Sequence, residues 1–210
     1  MFIKKVIITN FKCFGGTFEL DLVDGVNIIV GDNEAGKSTI LEAINLALSG
    51  WIYGKYLPNE MSQYLFNNDV VENYLRKINN NEYIKPPRIL IELFFEMNDE
   101  VLAAKFEGND NSLREKASGI QFQISFNERH RVHYNILLES GQEINSLPIE
   151  YYDFSWSTFA RDTSIIPRII PVKSAFVDSS NTRLRNGSDL YITRIMRDYM
   201  SEEQEIEISQ

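Results

Sequence analysis

The stretch GDNEAGKST, from Gly31 to Thr39, decides how this sequence is read. Gly31, Gly36, Lys37 and Ser38 satisfy the spacing G-x-x-x-x-G-K-[ST]. Each residue type has a physical reason to be there. Glycines reach backbone angles that other residues resist, so a loop bounded by Gly31 and Gly36 can close around a ligand. Several backbone N–H groups then point inward, which suits phosphate oxygens. The helix expected to begin near Lys37 adds its positive N-terminal end. Lys37 reaches the β- and γ-phosphates of a bound nucleotide and is the residue assigned to catalysis. Ser38 places its hydroxyl on Mg²⁺, which makes it the metal ligand. Thr39 is placed for the α-phosphate. Asn33, Glu34 and Ala35 complete the binding loop: Asn33 and Ala35 are compact, whereas Asp32 and Glu34 weaken the local positive field a little. The competing reading is a Gly-bounded turn that binds nothing.

The surroundings of the loop favour the first reading. GVNIIVG, ending at Gly31, reads as a short apolar strand. KSTILEAINLALSG places Ile40, Ile44, Ala47 and Leu48 at helical spacing and stops at Gly50. Upstream, FIKKVIITNF reads as a first strand. GTFELDLVD alternates Phe18, Leu20 and Leu22 against Glu19 and Asp21, as a half-wet strand does. Gly15-Gly16 supplies the turn, so the two are expected to pair antiparallel.

Further along, EMSQYLFNNDVVENYLRKINNNEY reads as helix in pieces, closed by Pro86-Pro87. RILIELFFEMND is a strong strand. GIQFQISFNERHRVHYNILLES reads as a β-hairpin, its first strand carrying Ile120, Phe122, Ile124 and Phe126 and its second running from Val132 to Leu138. Residues 140–168 read as loop with aromatic clusters, RIIPVKSAFVD as another strand, and SDLYITRIMRDYM as a helix capped by Ser188. The resulting plan is an α/β chain. It has a nucleotide-binding core over 1–50, a helical insert over 51–87, an antiparallel β-subdomain over 88–139, and loop, strand and helix over 140–210.

Composition narrows the class. The chain has 210 residues, with 43% hydrophobic and 24% charged, ordinary values for a globular protein. A net charge of −9 argues against a free-standing nucleic-acid binder, because phosphate contacts need clustered Lys and Arg. Cys13 is the only cysteine, so no internal disulfide can form, in keeping with a reducing compartment. The apolar run Val6-Ile7-Ile8 is too short for a signal-peptide core, and no stretch approaches the length of a membrane span. A cytoplasmic location is therefore expected.

The form G-x-N-x-x-G-K-[ST], together with the opening ITNFKCF, resembles ATPases of chromosome maintenance and recombination, those of the SMC, RecF and OLD (overcoming lysogenization defect) families. Within that class the start, GDNEAGKSTILEAINLALSG and ILIELFFE are most similar to OLD proteins. The resemblance implies an ABC-type P-loop NTPase fold, ATP and Mg²⁺ as ligands, and a homodimer or higher oligomer that sandwiches ATP. It also implies Lys12 at the nucleotide pocket; an exposed turn lysine is the other reading. Full-length OLD proteins join this ATPase to a Toprim nuclease domain that cuts DNA and resemble antiphage effectors. DNA would therefore be met through the intact protein. Two other readings stay open: part of a RecF- or SMC-like repair ATPase, and a stand-alone nucleotide-binding module without turnover.

Parts of the engine that this class uses are not evident here. Leu48-Ser49-Gly50 ends the loop helix and is an accidental match to the signature sequence. Glu96 ends a strand without an Asp-Glu pair. Asp178, in SAFVDSS, is the best stand-in but lacks its Glu. The chain is accordingly expected to be the N-terminal part of a longer ATPase, weak or inactive in hydrolysis alone.

Other constellations read more blandly. His130 and His133 sit at an odd spacing in an expected strand, on opposite faces, which disfavours shared metal binding. Arg183, Arg185, Arg194 and Arg197 read as a solvated face ahead of a DNA or subunit contact. YYDFSWSTF reads as core or interface ahead of a base-stacking surface, because no basic residues flank it.

Overall fold

The computed structural model describes residues 1–52, 54–163, 165 and 167–175. The chain divides into two compact units, Met1–Ser174 and Ala175–Gln210, and the second lies almost wholly outside the described residues. In chain order the first unit contains β1 (Phe2–Phe11), β2 (Phe14–Asp21), α1 (Lys37–Ser49), β3 (Trp51–Ile52), β4 (Lys55–Tyr56) and α2 (Asn68–Asn79). It continues with β5 (Ile89–Glu96), α3 (Glu100–Phe106), β6 (Glu107–Gly108), β7 (Ala117–Phe126), α4 (Arg131–Glu139) and β8 (Tyr152–Thr158).

One sheet organises the unit, in the order β2-β1-β5-β7, with β6 and β8 both pairing with β7. All of these pairings are antiparallel. Val6, Ile7 and Ile8 of β1 and nearly all of β5 are buried, as continuous apolar runs in mid-sheet require. One face carries the main core, built from Val6, Ile8, Ile91, Leu93, Phe122 and Ile124 with Leu46 and Ala47 of α1 and Tyr74 of α2. The opposite face holds a smaller cluster of Ile7, Phe94, Ala117 and Phe159. There Gly119 is required by close approach: a Cβ would lie 2.3 Å from the Phe159 ring.

α1 ends where Gly50 takes a left-handed φ of 72° and donates its N–H to the Leu46 carbonyl. α2 begins at Asn67, whose side chain accepts the Val70 N–H at 3.3 Å. Trp156 of β8 ties the sheet to α1 by donating its indole N–H to the Ala47 carbonyl at 2.8 Å. Truncating a buried residue such as Leu46 to Ala costs about 2–5 kcal/mol.

The expected turn at Gly15-Gly16 does not occur: both glycines lie inside β2, and the chain reverses at Lys12-Cys13, where Phe11 pairs with Phe14. Four further expectations need correction. Val132–Leu138 is not a strand; Arg131–Glu139 is helix α4. Tyr134, Leu137 and Leu138 recur at i, i+3, i+4 and turn one helical face to the core. His130 therefore precedes a helix, with its ring 5.7 Å from that of Tyr151, and His133 lies inside the helix. The aromatic stretch in the expected loop 140–168 forms β8, with Tyr152, Trp156 and Thr158 buried and Asp153 and Ser155 exposed. It is core: Trp156 packs on Phe122 at 4.9 Å. No strand occurs over residues 168–175, and Asp178, Ser188 and the four arginines lie outside the described residues.

The last of these concerns GVNIIVG. Residues 22–36 contain no strand. Ile29 packs on the core, whereas Val26, Ile28 and Val30 are 85%, 81% and 83% exposed. A strand exists only with a neighbour to take its N–H and C=O groups. No described strand pairs with this segment.

Candidate functional site

The loop 31–36 enters α1 through Gly36, whose φ of 88° lies in the left-handed region. Space demands glycine as firmly as angle does. A Cβ there would sit 2.8 Å from the Phe14 ring and 2.9 Å from Cys13 Sγ. The β1–β2 turn thus presses directly on the loop. Glu34 also takes a positive φ, 70°, and the Ala35 N–H closes a turn on the Asp32 carbonyl at 3.3 Å. Gly31 keeps an ordinary φ and has only Ala35 as a close neighbour.

α1 starts with no acidic residue in its first turn, so nothing on the helix itself neutralises the positive end of its dipole. The first N–H groups of the helix have no partner within it. Lys37 folds back over the loop, its ammonium donating to the Gly31 carbonyl at 2.7 Å and the Asp32 carbonyl at 2.5 Å. Ser38 is exposed and Thr39 half-buried, with Thr39 Oγ1 accepting from Cys13 Sγ at 3.5 Å. Asn33, Glu34 and Ala35 are exposed. The expected loop residues are therefore together on one surface: a curled backbone, a helix N-terminus, one ammonium and two hydroxyls. That arrangement can hold an anionic chain of phosphates. An exposed hydroxyl beside such a chain also suits Mg²⁺, which binds few protein oxygens and keeps several waters.

Lys12 sits just beyond the loop, at φ 48°. Its N–H donates to the Leu65 carbonyl and its own carbonyl accepts from Asn67 Nδ2, both at 2.9 Å. Its ammonium pairs with Glu42 of α1, one helical turn past Ser38. Both side chains are largely buried, so Lys12 is not an exposed turn lysine. Lys12 and Cys13 form one wall of an open surface depression, with Phe66 and Asn67 buried beneath it and Tyr64, Asn68 and Asp69 exposed at it. Sequence reasoning missed Cys13, Phe14 and this second wall. Cys13 and Phe14 directly follow Lys12 and could have been suspected; Tyr64 and Asp69 come from a distant segment with no local signal. Among the described residues no group of three or more His, Cys, Asp or Glu side chains could hold a metal, and no helix is long and apolar enough to cross a membrane.

Comparison with known proteins bears on the family. The profile of a family described as an AAA domain matches residues 5–207. Short segments are similar to larger proteins. The chain is 53% identical over 47 residues to structural maintenance of chromosomes protein 6 of Saccharomyces cerevisiae, covering 22% of the chain and 4% of that protein. It is 48% identical over 46 residues to the DNA double-strand break repair Rad50 ATPase of Methanopyrus kandleri, covering 22% and 5%. It is 41% identical over 44 residues to the DNA replication and repair protein RecF of Clostridium botulinum, covering 21% and 12%. The matched segments thus span no more than 12% of these relatives. A solved structure from work on ATP-driven dimerization and DNA-stimulated activation of SMC ATPases aligns with a TM-score of 0.43 at 15% identity, covering 95% of this chain and 100% of that one. With the family profile spanning nearly the whole sequence, the chain belongs to the AAA domain family.

Proposed function

We propose that this chain binds ATP with Mg²⁺ and acts as the N-terminal nucleotide-binding part of an SMC-, Rad50- or RecF-like ATPase. The observation that carries the reading is Gly36, left-handed and sterically locked at the head of a helix whose first turn has no acid. Gly31–Gly36 wraps the phosphates, Lys37 neutralises the β- and γ-phosphates, and Thr39 meets the α-phosphate. Ser38 would hold Mg²⁺, whose charge offsets that of the phosphates. Lys12 stands beside the nucleotide, its charge balanced by Glu42.

The exposed run Val26–Val30 supports a further part of the reading. An apolar segment with one side on the core and the other in water suits a strand whose neighbours lie outside the described residues. In our reading two such domains close on ATP in a cytoplasmic oligomer, and closure governs an activity on DNA. The finer reading, an OLD-type endonuclease of antiphage defence with its nuclease in a separate domain, rests on the motif resemblance alone.

Equilibrium binding of labelled ATP with and without Mg²⁺ tests the proposal. The parent should bind ATP more tightly with Mg²⁺, and Ser38→Ala should lose that gain. An equal Mg²⁺ gain in both proteins would remove Ser38 as the metal ligand. No ATP binding by the parent would overturn the reading.

A further inference from the structure

We infer that Glu42 sets how tightly the site holds a nucleotide, by competing with the phosphates for the Lys12 ammonium. The inference rests on the phosphate-loop reading above and adds to it a residue that acts without touching the ligand. Helix geometry puts the competitor in place. Glu42 follows Ser38 by four residues and Thr39 by three, so all three share one face of α1. Side chains on a helix tilt toward its N-terminus, which carries the Glu42 carboxylate toward the turn that holds Ser38 and Thr39. The Lys12 ammonium paired with that carboxylate therefore lies over the first turn of the helix. Cys13, the next residue along, fixes the approach, its Sγ donating to Thr39 Oγ1 at 3.5 Å. Glu42 is also the first carboxylate along α1, since the first turn carries no acid.

Lys12 can change partners without moving its backbone. Its N–H donates to the Leu65 carbonyl and its carbonyl accepts from Asn67 Nδ2, both at 2.9 Å. Only the side chain needs to swing, a flexible four-carbon stem ending in a point charge. The pair is poorly screened by water: the two side chains are 16% and 21% exposed, and the ammonium lies 5.6 Å from the centre of the buried Phe11 ring. Glu42 therefore cancels much of the charge that Lys12 would otherwise offer to an anion. With the α-phosphate at Thr39, the triphosphate sits on the face of α1 where the ammonium already is. Drawing the ammonium to the phosphates strips Glu42 of its cation, and that cost lowers affinity.

Calorimetric titration of ATP into this protein, at low and at high salt, tests the competition. Glu42→Gln keeps the shape and removes the charge. It should bind ATP about fivefold more tightly than the parent at low salt, with the gain shrinking at high salt. The gain should vanish when Lys12→Met is already present, because Glu42 acts through that ammonium. A residue that only supported the fold would weaken binding, or leave it unchanged, when altered. Glu42→Gln binding no tighter than the parent overturns the inference, as does an equal gain in the Lys12→Met background. Either result leaves the phosphate-loop reading standing. A parent that binds no ATP would overturn that reading, and the competition would fall with it.

Discussion

Replacing Gly36 with Ala should be the most costly single-methyl change in the nucleotide loop. Two penalties add. An L-residue at a left-handed φ costs about 1–2 kcal/mol, and Gly36 sits at 88°. Overpacking costs about 1–3 kcal/mol, and the new methyl would lie 2.8 Å from the Phe14 ring and 2.9 Å from Cys13 Sγ. Phe14 cannot yield freely, since its ring stacks on Phe18 at 4.3 Å. Together these give about 2–5 kcal/mol. For a chain of this size that is a fall in Tm of about 4–20 °C. Thermal unfolding by circular dichroism reads it directly. Gly31→Ala is the control: Gly31 has an ordinary φ and its added methyl meets only Ala35 Cβ, at 3.3 Å. It should change Tm far less. Adding Cys13→Ala to Gly36→Ala should restore part of the loss, because one of the two obstacles is gone, while the backbone penalty remains. A Gly36→Ala variant that melts with the parent would refute the reasoning.

Other substitutions probe the rest of the structure. Glu92 is buried, with Oε1 accepting the Ser112 N–H at 2.9 Å and Oε2 without a partner among the described residues, and burial raises its pKa above the ordinary value. The folded state therefore keeps a proton that the unfolded chain releases, so stability falls as pH rises from the ordinary carboxylate pKa through the raised one. Glu92→Gln should raise Tm at neutral pH, with the gain shrinking toward the ordinary carboxylate range; a gain independent of pH would contradict this. Tyr74 and Tyr134 share a buried hydroxyl hydrogen bond. Either Tyr→Phe change should cost about 1–3 kcal/mol by stranding its partner, and the double change less than the sum; strict additivity in denaturant titrations would rule the coupling out. Ile28→Ser should leave stability within about 0.5 kcal/mol, because the side chain is already 81% exposed. It should also reduce self-association in sedimentation. A large loss of stability would mean that Ile28 is packed.

What was legible in the sequence was what local pattern determines. β1, β2, β5 and the first strand of the expected hairpin, β7, follow from apolar runs and alternation, and α1 from its spacing and Gly50. α4 was misread because Val132 and Ile136 extend an apparent alternation through Tyr134 and Leu138. Yet Val132 and Ile136 are the exposed side chains, and the buried face is helical. β8 does alternate, but Tyr151-Tyr152 and two serines disguise its inward positions. Segment 26–30 has the composition of a strand and lacks a neighbour among the described residues, which no local pattern reveals. The loop of the candidate site was readable from Gly31 to Thr39 because its chemistry is contiguous. Its backing by Cys13 and Phe14, and the wall of the depression from Tyr64 to Asp69, are contacts between distant segments.

The most direct test of the central claim is calorimetric titration of ATP, with Mg²⁺ present, into the parent and into Lys37→Ala. Lys37 is the ammonium that folds over the loop, and its removal leaves the fold's core untouched. The account predicts saturable binding to the parent and loss of at least about tenfold in affinity in the variant, since charged hydrogen bonds contribute about 1.5–3 kcal/mol. Binding of ATP to Lys37→Ala as tight as to the parent would contradict it.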